Sequence, residues 1–288
     1  MKLLRFVFCL LGLAGALSNV LGDLPDGLYA RFTTTKGVFT AKLYYDQTPR
    51  TVANFVGLAE GTQPFIDFQA ITVTNRHFFD GLLFHRVIKG FVIQTGSPNG
   101  IGTDGPGYTI ANEITPALTH SKAGMLGAAR TSQQDTYGAQ FYFTLTNTPA
   151  LDGQYTVWGE TVDGLDVVLA IGDVATDAND KPTTPVVLQK VEILRIGAAA
   201  MAFDPAKVTP PLPQPKNKEV TMVATTNTLN FTWQTNANAG YRILYSPVLT
   251  NWPAFDSDTQ LFQDNKINGD ALLPGNPQYF FRLFEVQF

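Results

Sequence analysis

Cysteine is almost absent from this chain, and the one that is present lies close to the N-terminus. The chain has 288 residues, and Cys9 is its single cysteine. If the N-terminal segment described below is removed, no thiol remains for a disulfide, a cysteine nucleophile or a cysteine-based metal site. The mature chain must then be held together by its hydrophobic core, for which an apolar fraction of 44% is ample.

Charged residues are also scarce, and they form no block of one sign. They make up 15% of the chain, and the formal net charge is −4 at pH 7. Nucleic-acid binding needs clustered Lys and Arg on one surface, so this composition argues against nucleic acid as a partner. The histidines His77, His85 and His120 are too scattered to indicate a metal site. We therefore predict that the protein binds no metal.

A long apolar run occurs at the N-terminus. Lys2 and Arg5 lead into the apolar residues 6–17, and Ala16 and Ser18 supply the small residues that a signal peptidase requires. A transmembrane helix needs about 20 apolar residues, so this run is short for a span. We predict a secretory signal peptide over residues 1–22, export to the periplasm or the extracellular space, and no membrane span after cleavage. A retained membrane anchor is the alternative.

From Leu28 onward the pattern of apolar residues is that of a mainly β protein. Phe39, Ala41 and Leu43 alternate with polar neighbours, as in a half-buried strand. Thr48 and Pro49 then suit the start of a helix whose apolar stripe ends before Gly61. A loop follows over 62–77. Further along the chain we predict a second helix near 165–169 and short strands near 83–94, 124–128, 140–145, 155–160 and 186–196. The pattern predicts a closed antiparallel barrel capped by two helices.

The composition changes after Gly197. Five prolines lie between residues 205 and 215, which indicates a stiff, extended linker that we place at 198–217. Beyond it, Leu229, Phe231 and Trp233 alternate with polar residues, and two further segments do the same. We predict a small β-sandwich over residues 218–288. Its aromatic residues could form a binding face, but we expect them to be core.

Five sequence blocks hold the residues that indicate function. In chain order they are residues 84–94, 105–108, 124–130, 139–143 and 151–159. In this order and spacing they resemble the cyclophilin family of peptidyl-prolyl cis-trans isomerases. The resemblance covers residues 24–197, and it implies an eight-stranded closed barrel with a domain over residues 23–197.

The reaction that this resemblance implies needs no nucleophile, metal or cofactor. Rotation about a peptide bond has a barrier of about 18–20 kcal/mol, and exchange before proline takes tens to hundreds of seconds. In the twisted state the proline nitrogen regains a lone pair that can accept a hydrogen bond. A fixed cation beside that nitrogen would favour the twisted state over both planar ones. The resemblance places this catalytic cation at Arg86.

The resemblance also implies a set of substrate-binding residues. They are Phe91, Val92, Gln94, Ala129, Arg130, Gln140, Tyr142, Leu151 and Tyr155. Tyr142 replaces a phenylalanine of the family's pocket, and its added hydroxyl must find a partner. Tyr155 replaces a histidine, and Arg130 stands where eukaryotic members have asparagine. By the same resemblance His85 belongs to the family's scaffold beside Arg86, and isomerisation transfers no proton that would call for a base.

We predict a monomeric peptidyl-prolyl isomerase that acts on exposed X-Pro bonds of unfolded or flexible exported polypeptides and assists their folding. The alternative from another functional class is a peptide-binding barrel with little turnover, whose C-terminal module serves surface docking or adhesion. A secreted hydrolase is a third possibility, but no Ser-His-Asp motif or metal-ligand spacing supports it.

Overall fold

A computed structural model gives the fold of most of the chain. It describes residues 24–67, 71–218, 221–224, 229–232, 239–246, 266–269 and 280–287, with side-chain burial for 24–67 and 71–216. The signal peptide predicted for residues 1–22 lies outside the described residues. Within the described ranges, none of the helices has the length and apolar character to cross a membrane.

Residues 24–201 contain eleven strands and three helices. In chain order they are β1 (Gly27–Thr34), β2 (Gly37–Leu43), α1 (Pro49–Glu60), β3 (Phe65–Ile66), β4 (Thr72–Val73), β5 (Leu82–Leu83), β6 (Arg86–Ile88), β7 (Val92–Thr95), β8 (Met125–Ala128), β9 (Phe141–Thr144), β10 (Val157–Asp163), α2 (Leu165–Gly172), β11 (Val187–Ile196) and α3 (Ala198–Met201). Single 3-10 turns form at Pro149–Leu151 and Pro205–Lys207. The fold is thus mainly β with few helices, as predicted.

Nine of these strands form one curled antiparallel sheet, in the order β5-β11-β1-β2-β10-β8-β9-β7-β6. The predicted closed eight-stranded barrel is wrong, because the edge strands β5 and β6 do not pair with each other. Both are very short, and backbone groups at this edge bond to a loop instead. Phe84 N donates to Val186 O at 3.0 Å, and Val87 N donates to Asp180 O at 2.7 Å. The loop therefore takes the hydrogen bonds that would have closed the barrel.

Aromatic rings fill the concave side of the curled sheet. Phe32 and Phe39 face each other on β1 and β2 and stack at 4.8 Å between ring centroids. Phe143 meets Phe39 edge-on at 5.1 Å, and Phe141 lies edge-on to the buried ring of Trp158 at 5.9 Å. All of these side chains are fully buried. The core is therefore made by the apolar positions that alternate along the strands.

Helix α1 covers one side of this core, and its first turn is capped from a distance. Thr48 is the N-cap residue, but its hydroxyl donates back to Tyr44 O at 3.0 Å. The Glu113 carboxylate instead accepts from Arg50 N at 3.1 Å and from Thr51 N at 2.7 Å. A carboxylate here satisfies free N–H groups and complements the helix dipole. This contact ties the 109–120 segment to the helix.

The proline-rich segment packs against the region that contains the main sheet. Leu212 is buried in the main core, and Pro213 is buried beside it. The buried Gln63 side chain donates to Pro213 O at 2.6 Å, and Arg50 Nη2 donates to Pro211 O at 3.3 Å. The segment that we predict as a linker therefore lies on α1 and the following turn. The domain boundaries themselves stay a prediction.

The C-terminal strands form two further antiparallel sheets. Strands β12 (Gln214–Lys218), β15 (Ala239–Ser246) and β17 (Phe280–Gln287) pair in the order β12-β17-β15. Strands β13 (Thr221–Ala224), β14 (Leu229–Thr232) and β16 (Lys266–Gly269) pair in the order β13-β14-β16. Much of residues 219–288, including Trp233, lies outside the described residues, so the predicted β-sandwich stays a prediction.

Candidate active site

One row of side chains crosses four neighbouring strands of the main sheet. Arg86 on β6 is opposite Gln94 on β7, which is opposite Tyr142 on β9, which is opposite Gly127 on β8. Residues paired in this way share one face of a sheet. The adjacent row contributes its side chains to the core on the other face: Val87, Ile93, Phe143 and Leu126. Strand pairing thus brings three predicted site residues together on the outer face.

The next row on the outer face adds an apolar wall. Val92 is two residues before Gln94 on β7, so its side chain emerges on the same face, and it is buried. Phe91 precedes it in the turn between β6 and β7 and is half-buried. The Phe91 carbonyl accepts from Leu145 N at 2.8 Å, which fixes this turn against the end of β9. Both predicted apolar residues therefore border the row that holds Arg86.

Arg86 presents its guanidinium at the edge of this surface. Its side chain is 42% exposed, and Nε lies 3.6 Å from Oδ2 of Asp180, which is itself 44% exposed. Asp180 belongs to the loop whose carbonyl accepts from Val87 N, the residue after Arg86. An ion pair this exposed contributes little to stability. It orients the guanidinium from the Nε side, so the terminal amino groups can reach a ligand.

Two glutamines link this row to the neighbouring loop. Gln94 Nε2 donates to Gln140 Oε1 at 3.0 Å. Gln140 Nε2 in turn donates to the carbonyls of Gly102 and Asp104, each at 2.9 Å. The Gln140 carbonyl also accepts from Ala129 N at 2.9 Å. The amides of Gln94 and Gln140 are therefore held in fixed orientations beside Arg86.

Two loops close the other side of the surface. Leu151 ends the 3-10 turn Pro149–Leu151, and its carbonyl accepts from Tyr155 N at 3.2 Å. Arg130 lies over the Tyr155 ring at 4.4 Å from its centroid. Its Nε and Nη2 also donate to Gln154 O at 3.1 and 3.0 Å. Arg130 thus joins the loop that follows Ala129 to the loop that carries Leu151 and Tyr155.

The hydroxyl that Tyr142 adds to the surface has a buried partner. It lies 2.8 Å from Nε2 of His120, and Nδ1 of His120 lies 2.8 Å from Oδ1 of Asp152. The Tyr142 and Tyr155 rings meet edge-on at 6.2 Å. His120 is 22 residues from Tyr142 in sequence, so sequence spacing gave no signal that the two would meet. The need of a buried hydroxyl for a partner was the one available indication.

His85 lies beside the site but is poorly suited to proton transfer at neutral pH. Burial, reinforced by the neighbouring Arg86, lowers the pKa of His85 to about 4. The ring packs against Gly102, where a side chain would come within 3.1 Å of Nε2. The neutral ring therefore acts as a spacer between β6 and the 96–104 loop. This agrees with a scaffold role for His85.

Taken together, these residues form an apolar surface beside an exposed guanidinium and two oriented amides. Such a site can hold a small apolar ring and offer hydrogen-bond donors to the backbone next to it. It contains no activated nucleophile, since the serine and histidine side chains around it are bonded to other groups or kept neutral. The predicted site residues on β6, β7 and β9 thus lie together on one face of the curled β-sheet.

Comparison with known proteins identifies the family. Residues 29–193 match the family model for cyclophilin-type peptidyl-prolyl cis-trans isomerases. Peptidyl-prolyl cis-trans isomerase A of Mycobacterium tuberculosis is 43% identical over 166 residues, which is 57% of this chain and 91% of that protein. Peptidyl-prolyl cis-trans isomerase-like 1 of Neurospora crassa is 38% identical over 165 residues, 56% of this chain and 91% of that protein.

A solved structure shows the same relationship. The cyclophilin-type isomerase of Cryptosporidium parvum, determined in the presence of the dipeptide Ala-Pro, has a TM-score of 0.50 and 26% sequence identity. The match covers 59% of this chain and 99% of that one. The chain belongs to the cyclophilin family. It is a peptidyl-prolyl cis-trans isomerase.

Proposed function

We propose that Arg86 is the catalytic residue of this isomerase and that the outer face around it is the proline-binding slot. The observation that supports this is the cross-strand row in which Arg86, Gln94 and Tyr142 share one face. A proline ring seated against Val92 and Tyr142 would place its nitrogen on the side of the guanidinium. Arginine stays protonated at any relevant pH, and its planar donors suit a single oriented acceptor.

The acceleration comes from a preference for the twisted peptide bond. In either planar isomer the proline nitrogen shares its lone pair with the carbonyl and accepts a hydrogen bond poorly. In the twisted state the lone pair is localised, so a donor on Arg86 stabilises that state more than the ground states. The two fixed amides of Gln94 and Gln140 orient the backbone without reorganising during the rotation. The isomerase of Cryptosporidium parvum studied with Ala-Pro supports a proline-containing peptide as the ligand.

Gln140 offers a test of the slot that does not remove the cation. We expect Gln140→Ala to lower kcat/KM for a short Ala-Pro peptide by about tenfold, because the variant removes three neutral hydrogen bonds and so frees Gln94 and the 102–104 loop. The matched control is Gln189→Ala, an exposed glutamine on β11. Equal kcat/KM for the two variants in a protease-coupled assay would place the slot elsewhere.

We further propose that the protein is exported and acts on proline-containing, unfolded or flexible polypeptides outside the cytoplasm. The basic and apolar pattern of residues 1–22 supports this. The test is the intact mass of the protein recovered from the periplasm or medium of a Gram-negative host. We expect a chain shortened by the signal segment, whereas an intact N-terminus in the cytoplasm would contradict export.

A further inference from the structure

A buried histidine lies directly behind the wall that Tyr142 contributes to the slot. The side chain of His120 is completely buried, whereas that of Asp152 is 29% exposed. The Tyr142 hydroxyl and the Asp152 carboxylate lie at 2.8 Å from opposite nitrogens of the imidazole. Nothing in the isomerisation itself requires this group, because no proton is transferred to or from the substrate. Its position nevertheless links it to a substrate-contacting ring.

The bonding pattern fixes the tautomer of His120. A carboxylate can only accept, so Nδ1 carries the proton and donates to the Asp152 oxygen, and in the neutral ring Nε2 must accept from the Tyr142 hydroxyl. Burial lowers the pKa of His120, and the bonds to Asp152 oppose that shift. The other charged or titratable groups at this point are Tyr155, edge-on to Tyr142, and Arg130 above Tyr155. The neutral ring with its proton on Nδ1 therefore satisfies both nitrogens of His120 and gives the Tyr142 hydroxyl an acceptor.

The position of the Tyr142 ring depends on its hydrogen bond to His120, because the ring lies over a glycine, Gly127 on β8. A Cβ at Gly127 would stand 2.5 Å from both Cε2 and the hydroxyl oxygen of Tyr142, so the ring lies directly on the β8 backbone. Gly127 has no side chain that could hold the ring in place from that side. The parallel imidazole of His120, at 5.8 Å and an interplanar angle of 18°, bounds it from another. The hydroxyl bond therefore fixes how far the ring reaches into the slot.

His120 also holds the loop on the opposite side of the slot. Its backbone N–H donates to Asp152 Oδ1 at 2.7 Å, and its carbonyl accepts from Thr148 N at 2.9 Å. The 3-10 turn between Thr148 and Asp152 carries Leu151. His120 is thus bonded both to Tyr142 in the wall of the slot and to the loop that carries Leu151.

We propose that His120 and Asp152 are positioning residues for the isomerisation: through the Tyr142 hydroxyl they set the depth and width of the proline slot. The His120 side chain is fully buried, and Asp152 is bonded to it, so both act on the slot through Tyr142. The inference rests on the proposed slot. It accounts for the tyrosine at a position where the family has phenylalanine, since the hydroxyl and the buried histidine satisfy each other.

The direct test is a double-mutant cycle between His120 and Tyr142 in the full chain. His120→Asn keeps a donor for Asp152 at the Nδ1 position but cannot reach Tyr142. We expect it to raise KM for an Ala-Pro peptide by about fivefold, the equivalent of one neutral hydrogen bond, with kcat changed less. His120→Gln places an amide near the Nε2 position and should restore part of the loss. His77→Asn, on a histidine whose ring lies against Ala59 O, is the matched control and should leave KM unchanged.

Comparing His120→Asn in the wild-type and Tyr142→Phe proteins decides whether His120 acts through the hydroxyl. The Tyr142→Phe protein has no hydroxyl to donate to His120, so adding His120→Asn should raise KM by less than about twofold. An equal effect of His120→Asn on KM in both proteins, or none in either, would overturn the inference.

Tyr142→Ala distinguishes failure of the positioning role from failure of the proposed slot. If Tyr142→Ala leaves KM unchanged, the proposed slot is wrong, whereas a raised KM together with silent His120 variants refutes only the positioning role.

A measurement on the wild-type protein covers the case in which the His120 variants fail to fold. Nitrogen NMR of the imidazoles at pH 7 distinguishes the two neutral tautomers and the charged form. We expect His120 to be neutral with its proton on Nδ1 and that proton to exchange slowly with water. A proton on Nε2, or a charged ring at pH 7, would contradict the bonding pattern on which the inference depends.

Discussion

Replacing Gly127 with alanine tests the geometry of the slot with one added methyl group. The new Cβ would lie 2.5 Å from Cε2 and the hydroxyl oxygen of Tyr142, well inside contact distance. The ring must move outward, because the backbone of β8 is paired with both β9 and β10. Over-packing of this kind costs about 1–3 kcal/mol. The lost bond to His120 adds about 1 kcal/mol, so we expect a total loss of roughly 2–4 kcal/mol.

The displaced ring should also narrow the slot, so we expect KM for an Ala-Pro peptide to rise with the loss of stability. Urea unfolding measures the free energy, and a protease-coupled assay measures KM. Gly105→Ala is the matched control: a Cβ there meets nothing within 4 Å, so its stability should be unchanged or raised by up to about 1 kcal/mol. If Gly127→Ala matched this control in both measurements, Tyr142 would not lie on the β8 backbone.

Three further predictions follow from burial and charge. The pKa of His85 is about 4 in the folded protein and about 6.5 in the unfolded chain, so the unfolded state binds the extra proton between these values. Stability should therefore fall as the pH drops from about 6.5 to 4, by up to about 3 kcal/mol, and His85→Gln should flatten that slope. The turnover rate should stay nearly flat from about pH 6 to 8, since no group in the step titrates there; a bell-shaped profile lost in His85→Gln would contradict this. Leu212→Ala should lower the unfolding free energy by about 2–3 kcal/mol, whereas exposed Met201→Ala should change it by less than about 0.5 kcal/mol, and equal effects would show that the proline-rich segment does not contribute to the core.

The sequence was most informative where a local pattern determines structure. The alternation through Phe39, Ala41 and Leu43 predicted β2, and Thr48 with Pro49 predicted the start of α1. The blocks around Arg86 and Gln140 indicated the family, and the matched family model confirmed it. These signals lie within a few residues of each other, so they need no knowledge of the tertiary fold.

Features that depend on non-local pairing could not be predicted in this way. The partner of the Tyr142 hydroxyl is His120, which lies 22 residues away in sequence and is brought to it only by the tertiary fold. Five prolines indicated an extended segment, but not that Leu212 would be buried in the core. A closed barrel would have required β5 and β6 to pair with each other, but the N–H groups of Phe84 and Val87 donate to loop carbonyls instead. In each case the deciding contact joins residues far apart in sequence.

The central claim is that the guanidinium of Arg86 stabilises the twisted X-Pro bond, and kcat/KM of Arg86 variants tests it most directly. We expect Arg86→Ala to keep its circular dichroism spectrum and to lose about 100- to 1,000-fold in kcat/KM, roughly 3–4 kcal/mol, the usual effect of removing one transition-state donor. Arg86→Lys should restore little, because an ammonium lacks the planar donors. Arg76→Ala, which removes an arginine stacked on Phe65 instead, should be fully active. Near-normal isomerisation by a folded Arg86→Ala protein would contradict the account.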